Sequence, residues 1–347
     1  TDYWIPVGED MTPPAGTSDA FSTTSVQVMA DKPGTLVEVD KDGNGTADFT
    51  TTIGAGEVAF VNGGLNRGAR VRSSKPVQVH LGAGDAGAAY ELRWFTLLPT
   101  ALLTADYVNP VGSSSDNQRT ITYLFNPNAS PIVVTPTCTG CAGTLTVPAR
   151  GGAKYASPLS QAVRFQSSGG ETFVAVGAAG SESGAAPGSS GDGSATYDWG
   201  FGLVPTRLLT SKAVIGWAPG NSNNPPSGSP SNLGNDPVWV STLQNTTLYV
   251  DFDGNPLTGA LGPQCGSLYD TAITVVKGAS TRIFDNTDGD MTGASIYTCD
   301  GVLIAGAWGE DPSNAPSGAP GFDAGYALVP STAMLVDKSS ALGVDTN

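Results

Sequence analysis

Short runs of alternating apolar and polar residues recur along the chain, and turn-forming Gly, Pro, Asn and Asp separate them. In residues 34–52, for example, two alternating runs flank an Asp-Gly-Asn-Gly turn at residues 42–45. Such alternation is typical of β-strands with one buried face, and this turn chemistry predicts a hairpin. No stretch keeps the 3.6-residue period of an amphipathic helix. The pattern therefore predicts an all-β fold.

The alternating pattern is part of a longer internal repeat. The segment Leu-Leu-Pro-Thr-Ala-Leu-Leu-Thr at residues 97–104 recurs as Leu-Val-Pro-Thr-Arg-Leu-Leu-Thr at 203–210 and as Leu-Val-Pro-Ser-Thr-Ala-Met-Leu at 328–335. A second block, Asp-Tyr-Trp-Ile-Pro-Val-Gly at residues 2–8, matches residues 106–112 at five of seven positions. Repeats of this kind indicate copies of one structural unit.

The repeat predicts three modules, residues 1–105, 106–212 and 213–335, with a C-terminal tail or strand at 336–347 that would begin a fourth copy. Each module has room for about seven or eight short strands, which is the size and rhythm of a β-sandwich. We therefore predict three tandem β-sandwich modules of immunoglobulin-like or jelly-roll-like type.

Charge narrows the range of partners. The 16 basic and 31 acidic residues give a net charge of −15. We expect no nucleic-acid partner, because phosphate binding needs a positive field. Without an apolar run of about 18 residues, we also expect no insertion into a membrane. The acidity suits a surface protein that uses divalent cations, and the alternative is that it only supports solubility.

Four cysteines indicate the redox compartment. Cys138 and Cys141 have the spacing of a metal or redox motif, but the only histidine, His80, is distant, and the flanking residues read as a hairpin tip and not as the start of a helix. We predict two structural disulfides, Cys138–Cys141 and Cys265–Cys299, and hence an oxidising compartment. Because four cysteines allow three pairings, this pairing is inferred from placement.

One segment of the first module carries a family resemblance. Residues 65–80, Leu-Asn-Arg-Gly-Ala-Arg-Val-Arg-Ser-Ser-Lys-Pro-Val-Gln-Val-His, precede a Leu-Pro block and then Asp-Tyr-Val-Asn-Pro at 106–110. This order resembles the IgGFc-binding protein N-terminal repeat family. The second module has Gly169 and Gly170 where Lys-Pro would stand, and the third departs further. The resemblance implies an extracellular β-sandwich protein with a role in adhesion or matrix, and it carries over no antibody-binding residue.

Oxygen-bearing side chains at alternate positions form the first candidate metal site: Asp40, Asp42, Asn44, Thr46 and Asp48. Ca²⁺ takes six to eight oxygens, often from one short loop, and this segment resembles the first half of an EF-hand loop. Thr51, however, stands where the loop would need its bidentate Glu. A simple Asp-Gly hairpin turn is the alternative interpretation.

A second acidic loop, with Asp285, Asp288 and Asp290, is a further candidate for Ca²⁺. Residues 251–255 form a truncated version of the first loop.

Asn44, Asn128 and Asn245 each begin an Asn-x-Ser/Thr sequon, which predicts glycosylation of a secreted chain. His80 lies on an apolar strand and is interpreted as a packed or surface residue.

Two further sets of residues have competing interpretations. Carboxylates after the Gly/Ala turns, including Glu182, Glu310 and Asp311, would suit a glycosidase, but their loose repetition favours a structural role. Four aromatic residues would form either a sugar-stacking platform or packing in the core and between modules: Trp94, Trp199, Trp308 and Tyr326.

These patterns predict a secreted, non-enzymatic structural or adhesive protein of a cell surface, with itself, other surface proteins or glycans as partners. Assembly into a filament by β-strand addition is one mechanism we expect for it. The alternative is a Ca²⁺-assisted glycan-binding module of a larger surface protein. A secreted hydrolase is the third hypothesis.

Overall fold

The computed structural model describes residues 1–11, 21, 23–84, 92–114, 119–179, 199–219, 234–311 and 325–330. It confirms the all-β prediction, and its described helices are single 3₁₀ turns such as Thr100–Leu102 and Thr206–Leu208. No helix in these ranges is long and apolar enough to cross a membrane. The predicted tail at 336–347 lies outside the described residues.

The strands fall into three groups along the chain. The first group is β1 (Asp2–Trp4), β2 (Thr23–Ala30), β3 (Thr35–Asp40), β4 (Phe49–Ile53), β5 (Val58–Asn62), β6 (Arg70–Ser73), β7 (Val77–Gly84) and β8 (Leu92–Leu97). The second is β9 (Asp106–Asn109), β10 (Ile121–Phe125), β11 (Ile132–Thr137), β12 (Leu145–Val147), β13 (Gly152–Ala156), β14 (Val163–Ser167), β15 (Val174–Ala178) and β16 (Gly200–Gly202). The third is β17 (Lys212–Val214), β18 (Val238–Thr242), β19 (Thr246–Asp251), β20 (Leu261–Gln264), β21 (Ser267–Tyr269), β22 (Thr271–Val275), β23 (Thr281–Ile283), β24 (Ser295–Tyr297), β25 (Ile304–Gly309) and β26 (Gly325–Ala327).

Each group forms two four-stranded antiparallel sheets with one shared topology. Sheet A1 has the order β1-β6-β3-β4, and its counterparts A2 and A3 have the orders β9-β14-β11-β12 and β17-β24-β19-β22. Sheet B1 has the order β5-β2-β7-β8, and its counterparts B2 and B3 have the orders β13-β10-β15-β16 and β23-β18-β25-β26. The third group adds the small hairpin β20–β21. Strand order therefore fixes which residues correspond between modules.

Apolar residues at alternate positions of the strands form the core of the first module. Val26 and Val28 of β2 and Val37 and Val39 of β3 are fully buried in one cluster. At roughly 25 cal/mol per Å² of apolar surface, burial of such side chains is the main source of stability. A sandwich follows because each sheet offers one apolar face that must be covered.

Sheets B2 and B3 differ from B1, because their central strands are buried on both faces. Every residue of β10, β15, β18 and β25 is buried. The inward side of B2 belongs to the core of the second module, whereas Ile121 and Tyr123 on its outward side belong to the core cluster of the first. The rings of Tyr123 and Phe21 meet edge to face at 5.2 Å. The first module therefore covers the outer face of B2.

The same relation repeats between the second and third modules. Trp239 and Ala307, on the outer face of B3, join the second module's core cluster. Trp199 of the second module is fully buried, and its indole Nε1 donates a 3.0 Å hydrogen bond to the carbonyl of Glu310. Arg93, at the equivalent position of the first module, donates from Nε to the carbonyl of Ala179 at 3.1 Å. One interface is thus used twice.

Glycine allows the close approach that this interface requires. A Cβ added to Gly200 would lie 2.5 Å from the ring of Phe95, and one added to Gly325 would lie 2.0 Å from the indole of Trp199. Neither distance is compatible with a side chain, so these positions admit only glycine without repacking of the aromatic ring.

The three last strands of the B sheets, β8, β16 and β26, contact one another. Two of the contacts are tight, with cavities of about 10 Å³ beside Leu98 and Val204. The third, between the first and third modules, leaves a cavity of about 390 Å³ lined by Gln78, Trp94 and Tyr326 among others. The three modules therefore meet along these strands. The β8–β16 and β16–β26 contacts are tightly packed, and the β8–β26 contact contains a cavity.

We predict that Trp199→Ala lowers the free energy of unfolding by about 3–5 kcal/mol, because it empties a fully buried site shared by two modules. Urea denaturation followed by circular dichroism measures the change. Leu257→Ala is the control, since Leu257 is 82% exposed and should change stability by no more than about 0.5 kcal/mol. A Trp199→Ala loss below about 1 kcal/mol would show that the interface contributes little.

Candidate functional site

A cleft of about 400 Å³ lies where the first and second modules meet. The first module contributes Trp4 from β1, Arg70 and Arg72 from β6, and the loop after β3. The second contributes Phe125 from the end of β10 and Arg150 from the turn before β13. The cleft exists because the first module covers the outer face of B2 and thereby brings these segments together.

Positive charge concentrates in this cleft. Arg67, Arg70, Arg72 and Arg150 line it, although the chain has only nine arginines and a net charge of −15. Arg70 forms a two-point ion pair with Asp2, and this hydrogen bonding raises the pKa of the Arg70 guanidinium although burial opposes it. The Arg67 guanidinium lies 3.9 Å from the Asp10 carboxylate. Within the described ranges, neither Arg72 nor Arg150 forms an ion pair with a carboxylate.

Aromatic rings hold two of these cations in place. The guanidinium carbons of Arg70 and Arg150 lie 4.8 and 4.9 Å from the centroid of the Trp4 ring. The Phe125 ring lies 5.7 Å from Trp4. Cation–π contacts at this distance are favourable by about 0.5–2 kcal/mol, so both arginine heads are positioned before any ligand arrives.

The predicted calcium loop forms one rim of the same cleft. Asp40 is buried at the end of β3, and its carboxylate accepts backbone N–H bonds from Gly43, Asn44 and Gly45 at 2.8, 3.1 and 2.7 Å. Glycine suits the turn, because Gly43 and Gly45 have positive φ. One carboxylate therefore organises the whole turn.

The remaining oxygens of this loop form a chain of local hydrogen bonds. Asp42 accepts from the backbone and side-chain amides of Asn44, Asn44 Oδ1 accepts from the N–H of Thr46, and Asp48 accepts from the N–H of Lys41. Oxygens of Asp40, Asp42 and Asp48 lie within 4.8 Å of one another. They form the only carboxylate group of this kind in the described part of the chain. These residues could supply oxygens to a cation, although backbone donors already occupy Asp40.

Asn44 Nδ2 donates to the Asp42 carboxylate and Asn44 Oδ1 accepts from the backbone N–H of Thr46, which are hydrogen bonds that turns of this type make without a metal. Thr51 lies on β4 opposite Val37. Calcium binding by the loop stays a prediction.

The second predicted acidic loop is not gathered around one point. Asp285, Asp288 and Asp290 accept hydrogen bonds from the N–H groups of Thr287, Asp290 and Thr292 respectively, each two residues further along the chain. These are local Asx turns. Over the residues that the structure describes, the three carboxylates do not converge as those of the first loop do.

The hairpins that follow β3, β11 and β19 are equivalent, and each module stabilises its own in a different way. Asp40 corresponds to Thr137 and to Asp251, since these residues lie opposite Arg70, Arg164 and Ser295 in equivalent strand pairs. The second module closes its hairpin with the Cys138–Cys141 disulfide. The third links Cys265, at the β20–β21 turn, to Cys299. The predicted cysteine pairs thus lie at disulfide distance, with Cα separations of 5.0 and 5.8 Å.

Asp251 is less well satisfied than Asp40. It is buried, and burial followed by the hydrogen bond and charge of Asp253 raises its pKa to about 6. The pKa of Asp253 is lowered by hydrogen bonds from Thr258 and Asn255 and by Asp251. As pH falls, Asp251 therefore takes up a proton before Asp253 does.

The predicted glycosylation sites differ in access. Asn44 is exposed, but its side-chain amide donates to Asp42. The amide of Asn128 is half-buried and donates to Asn126 and to the carbonyl of Thr172. Asn245 is exposed and uses only its Oδ1, which accepts from the N–H of Lys277. Asn245 is thus the most accessible of the three sequons.

The other predicted chemistry-bearing residues serve the fold. Glu310 and Asp311 are buried, and Asp311 pairs with Arg282, whereas Glu182 lies outside the described residues. His80 Nδ1 lies 3.2 Å from the Thr96 hydroxyl, and burial lowers its pKa.

The predicted aromatic platform does not form, since Trp199 and Trp308 are fully buried and only Trp94 and Tyr326 retain exposure. Packing in the core and between modules accounts for the two buried rings.

Sequence reasoning missed the arginine-lined cleft. Arg150 is 78 positions from Arg72, and only the packing of one module on the next brings them together. The available signal was weak, because four arginines of nine within two distant segments do not by themselves suggest one site.

Comparison with known proteins identifies no relative: no family model matches the chain, and neither the curated proteins nor the solved structures include a significant match. The resemblance to the IgGFc-binding repeat family therefore stays a prediction.

We predict that Asp40→Ala lowers the free energy of unfolding by about 2–3 kcal/mol, because three backbone N–H groups lose a charged acceptor. Asp42→Ala is the matched control on the same loop and should cost less than about 1 kcal/mol, since its partners are exposed. Urea denaturation gives both values. Equal losses would contradict the anchoring role of Asp40.

Chelation adds a separate measurement on the same proteins. If Ca²⁺ occupies the loop, EDTA lowers the Tm of the wild type and leaves that of Asp42→Ala unchanged. A wild-type Tm that is insensitive to both EDTA and added Ca²⁺ counts against the metal site.

We predict that Asp251 makes the fold less stable as pH rises from about 4 to 6. The pKa of Asp251 is about 6 in the folded chain and about 3.9 when unfolded, so the folded state binds the proton more tightly across this window. Asp251→Asn should flatten this part of the stability curve, measured by urea denaturation at several pH values.

Asp300→Asn provides a control of opposite sign. The pKa of Asp300 is lowered by its hydrogen bond from Thr246, so its stabilisation is present above about pH 4 and is lost below. The substitution should therefore change the dependence of stability on pH only below about pH 4. An Asp251→Asn curve with the wild-type slope between pH 4 and 6 would refute the assignment.

Proposed function

We propose that the chain is a non-enzymatic structural or adhesive protein of an extracellular surface, in which three β-sandwiches act as one rigid block. The observation that carries this proposal is the burial of both faces of B2 and B3. The outer face of each is covered by the preceding module, with Tyr123 and Trp239 almost fully buried. A body that resists bending is suited to adhesion and scaffolding.

Short connections add to this stiffness. Between β8 and β9 lie only residues 98–105, and they contain a 3₁₀ turn at Thr100–Leu102. The Thr100 hydroxyl donates to the carbonyl of Asp2, and the Thr206 hydroxyl donates to the carbonyl of Asp106 in the same way. Each connection is thereby tied to the first strand of the module it leaves.

Two disulfides support an oxidising, extracellular location, since such bonds persist mainly outside the cytosol. The exposed sequon at Asn245 fits the same compartment.

Assembly by β-strand addition is part of the proposal, with the edge strand β5 as the acceptor. The N-terminal strand β1 already pairs with β6 of its own module. The edge strand β5 pairs on one side only and exposes Val58 and Phe60, at 51% and 54%. An exposed apolar edge of this kind is the more suitable acceptor.

Calcium-assisted glycan binding is the second candidate function. The observation that favours it is the position of Asp40, Asp42 and Asp48 beside the arginine-lined cleft. The chelator measurement described above tests the metal component of this hypothesis.

We predict that immunogold labelling of intact source cells, together with electron microscopy of extracted material, places the protein in surface-attached filaments, sheets or matrix. In solution, small-angle X-ray scattering should give a radius of gyration near the ~20 Å of a compact chain of this length. A clearly larger, rod-like value would contradict the rigid block. A protein that is recovered only free in the medium, with no retention on any surface fraction, would overturn the structural or adhesive role.

A further inference from the structure

The cleft between the first two modules contains more arginines and aromatic rings than the equivalent cleft of the same chain. That second cleft, of about 250 Å³, lies at the equivalent place between the second and third modules. It retains the two-point ion pair as Arg164 with Asp106. The ion pair is therefore common to both clefts.

The other lining residues differ between the two clefts. Where the first has Trp4, Arg72 and Phe125, the second has Val108, Gln166 and Ser241 at the equivalent positions. Phe125 is fully buried with Leu103 and Val174, and Trp4 packs against this cluster, so the rings of the first cleft serve packing between the modules. The additional arginines of the first cleft, Arg72 and Arg150, are not part of that cluster.

Two of its cations are free to take a ligand. Arg72 and Arg150 have no carboxylate partner among the residues that the structure describes. Arg150 is fixed by its contact with the Trp4 ring at 4.9 Å and by its backbone N–H, which donates to Asn128 at 3.2 Å. A guanidinium that is already positioned loses little freedom on binding an anion.

The opposite rim supplies hydrogen-bond acceptors. Asp42 is exposed, and each of its oxygens accepts one bond from Asn44 and can accept another. A ligand that places hydroxyl groups here and one negative group at the arginines satisfies both sides of the cleft. The net charge of −15 disfavours a long polyanion, and the cleft volume falls within the roughly 300–1,000 Å³ of small-molecule sites.

We propose that this cleft binds a carbohydrate unit that carries a single carboxylate or sulfate group. The inference rests on the proposed adhesive function and names the class of ligand through which adhesion would occur. Arg72 and Arg150 bind the anionic group, and Asp42 accepts hydrogen bonds from the sugar hydroxyls.

Isothermal titration calorimetry of the full chain tests the proposal with five probes: methyl glucuronide, its methyl ester, galactose 6-sulfate, galactose and sodium sulfate. We expect at least one acidic sugar to bind about tenfold or more tightly than its neutral counterpart, because the charge-assisted bonds to arginine are lost in the ester. Methyl glucuronide and galactose 6-sulfate distinguish carboxylate from sulfate recognition. Binding of both acidic sugars no tighter than that of their neutral counterparts, no binding of either acidic sugar, or equal binding of free sulfate would overturn the proposal.

Variants locate the binding. Arg72→Gln, which installs the residue type of the second cleft, and Arg150→Gln should each weaken binding of the acidic sugar about tenfold. Lys277→Gln removes the same charge at the second cleft and should leave binding unchanged. Wild-type affinity in both arginine variants would place any binding elsewhere and refute the site. If no sugar binds while the protein is still found on the cell surface, only the ligand class is wrong and the proposed function stands.

Discussion

Removal of water from both faces of B2 and B3 is the constraint on which the rest of the structure depends. A sandwich needs only one apolar face on each sheet, yet β10 and β15 are apolar on both. Ile121, Tyr123 and Val176 would be exposed if the second module stood alone. An exposed patch of this size is unfavourable in water, so the modules must pack side by side. The cleft, the buried tryptophans and the glycines beside aromatic rings all follow from that packing.

The hairpin after the third strand of each module must be held in one conformation, and equivalent positions do this by different chemistry. Asp40 holds the turn with one carboxylate that accepts from three backbone N–H groups. In the second module a disulfide replaces the carboxylate. In the third, Asp251 competes with Asp253 for protons, and the Cys265–Cys299 link supplies the constraint. The topology is therefore insensitive to how the hairpin is held.

Much of the fold could be predicted from the sequence because its signals are local. Period-two alternation, as in residues 34–40, gives strands, and the Leu-Pro repeat gives three units. The packing between modules was harder to predict, although a signal existed. The runs at 121–125 and 304–309 contain no charged residue and do not alternate, and continuous runs of this kind are typical of strands buried on both faces. The candidate cleft was beyond local reasoning, because Trp4 and Arg150 meet only through that packing. The Asp40 loop was found because all its oxygens lie in one short segment.

The three modules share one fold, but the outer faces of their B sheets have different surroundings and carry different residues. Positions that carry Tyr123 and Val176 on B2 carry Gln27 and His80 on B1. Burying such polar side chains without partners is unfavourable by about 1–3 kcal/mol each, so a third contact as tight as the other two would destabilise the chain. Between β8 and β26 there is a cavity of about 390 Å³, whereas the equivalent contacts leave only about 10 Å³. Polar residues such as Gln27 and His80 make the outer face of B1 compatible with water.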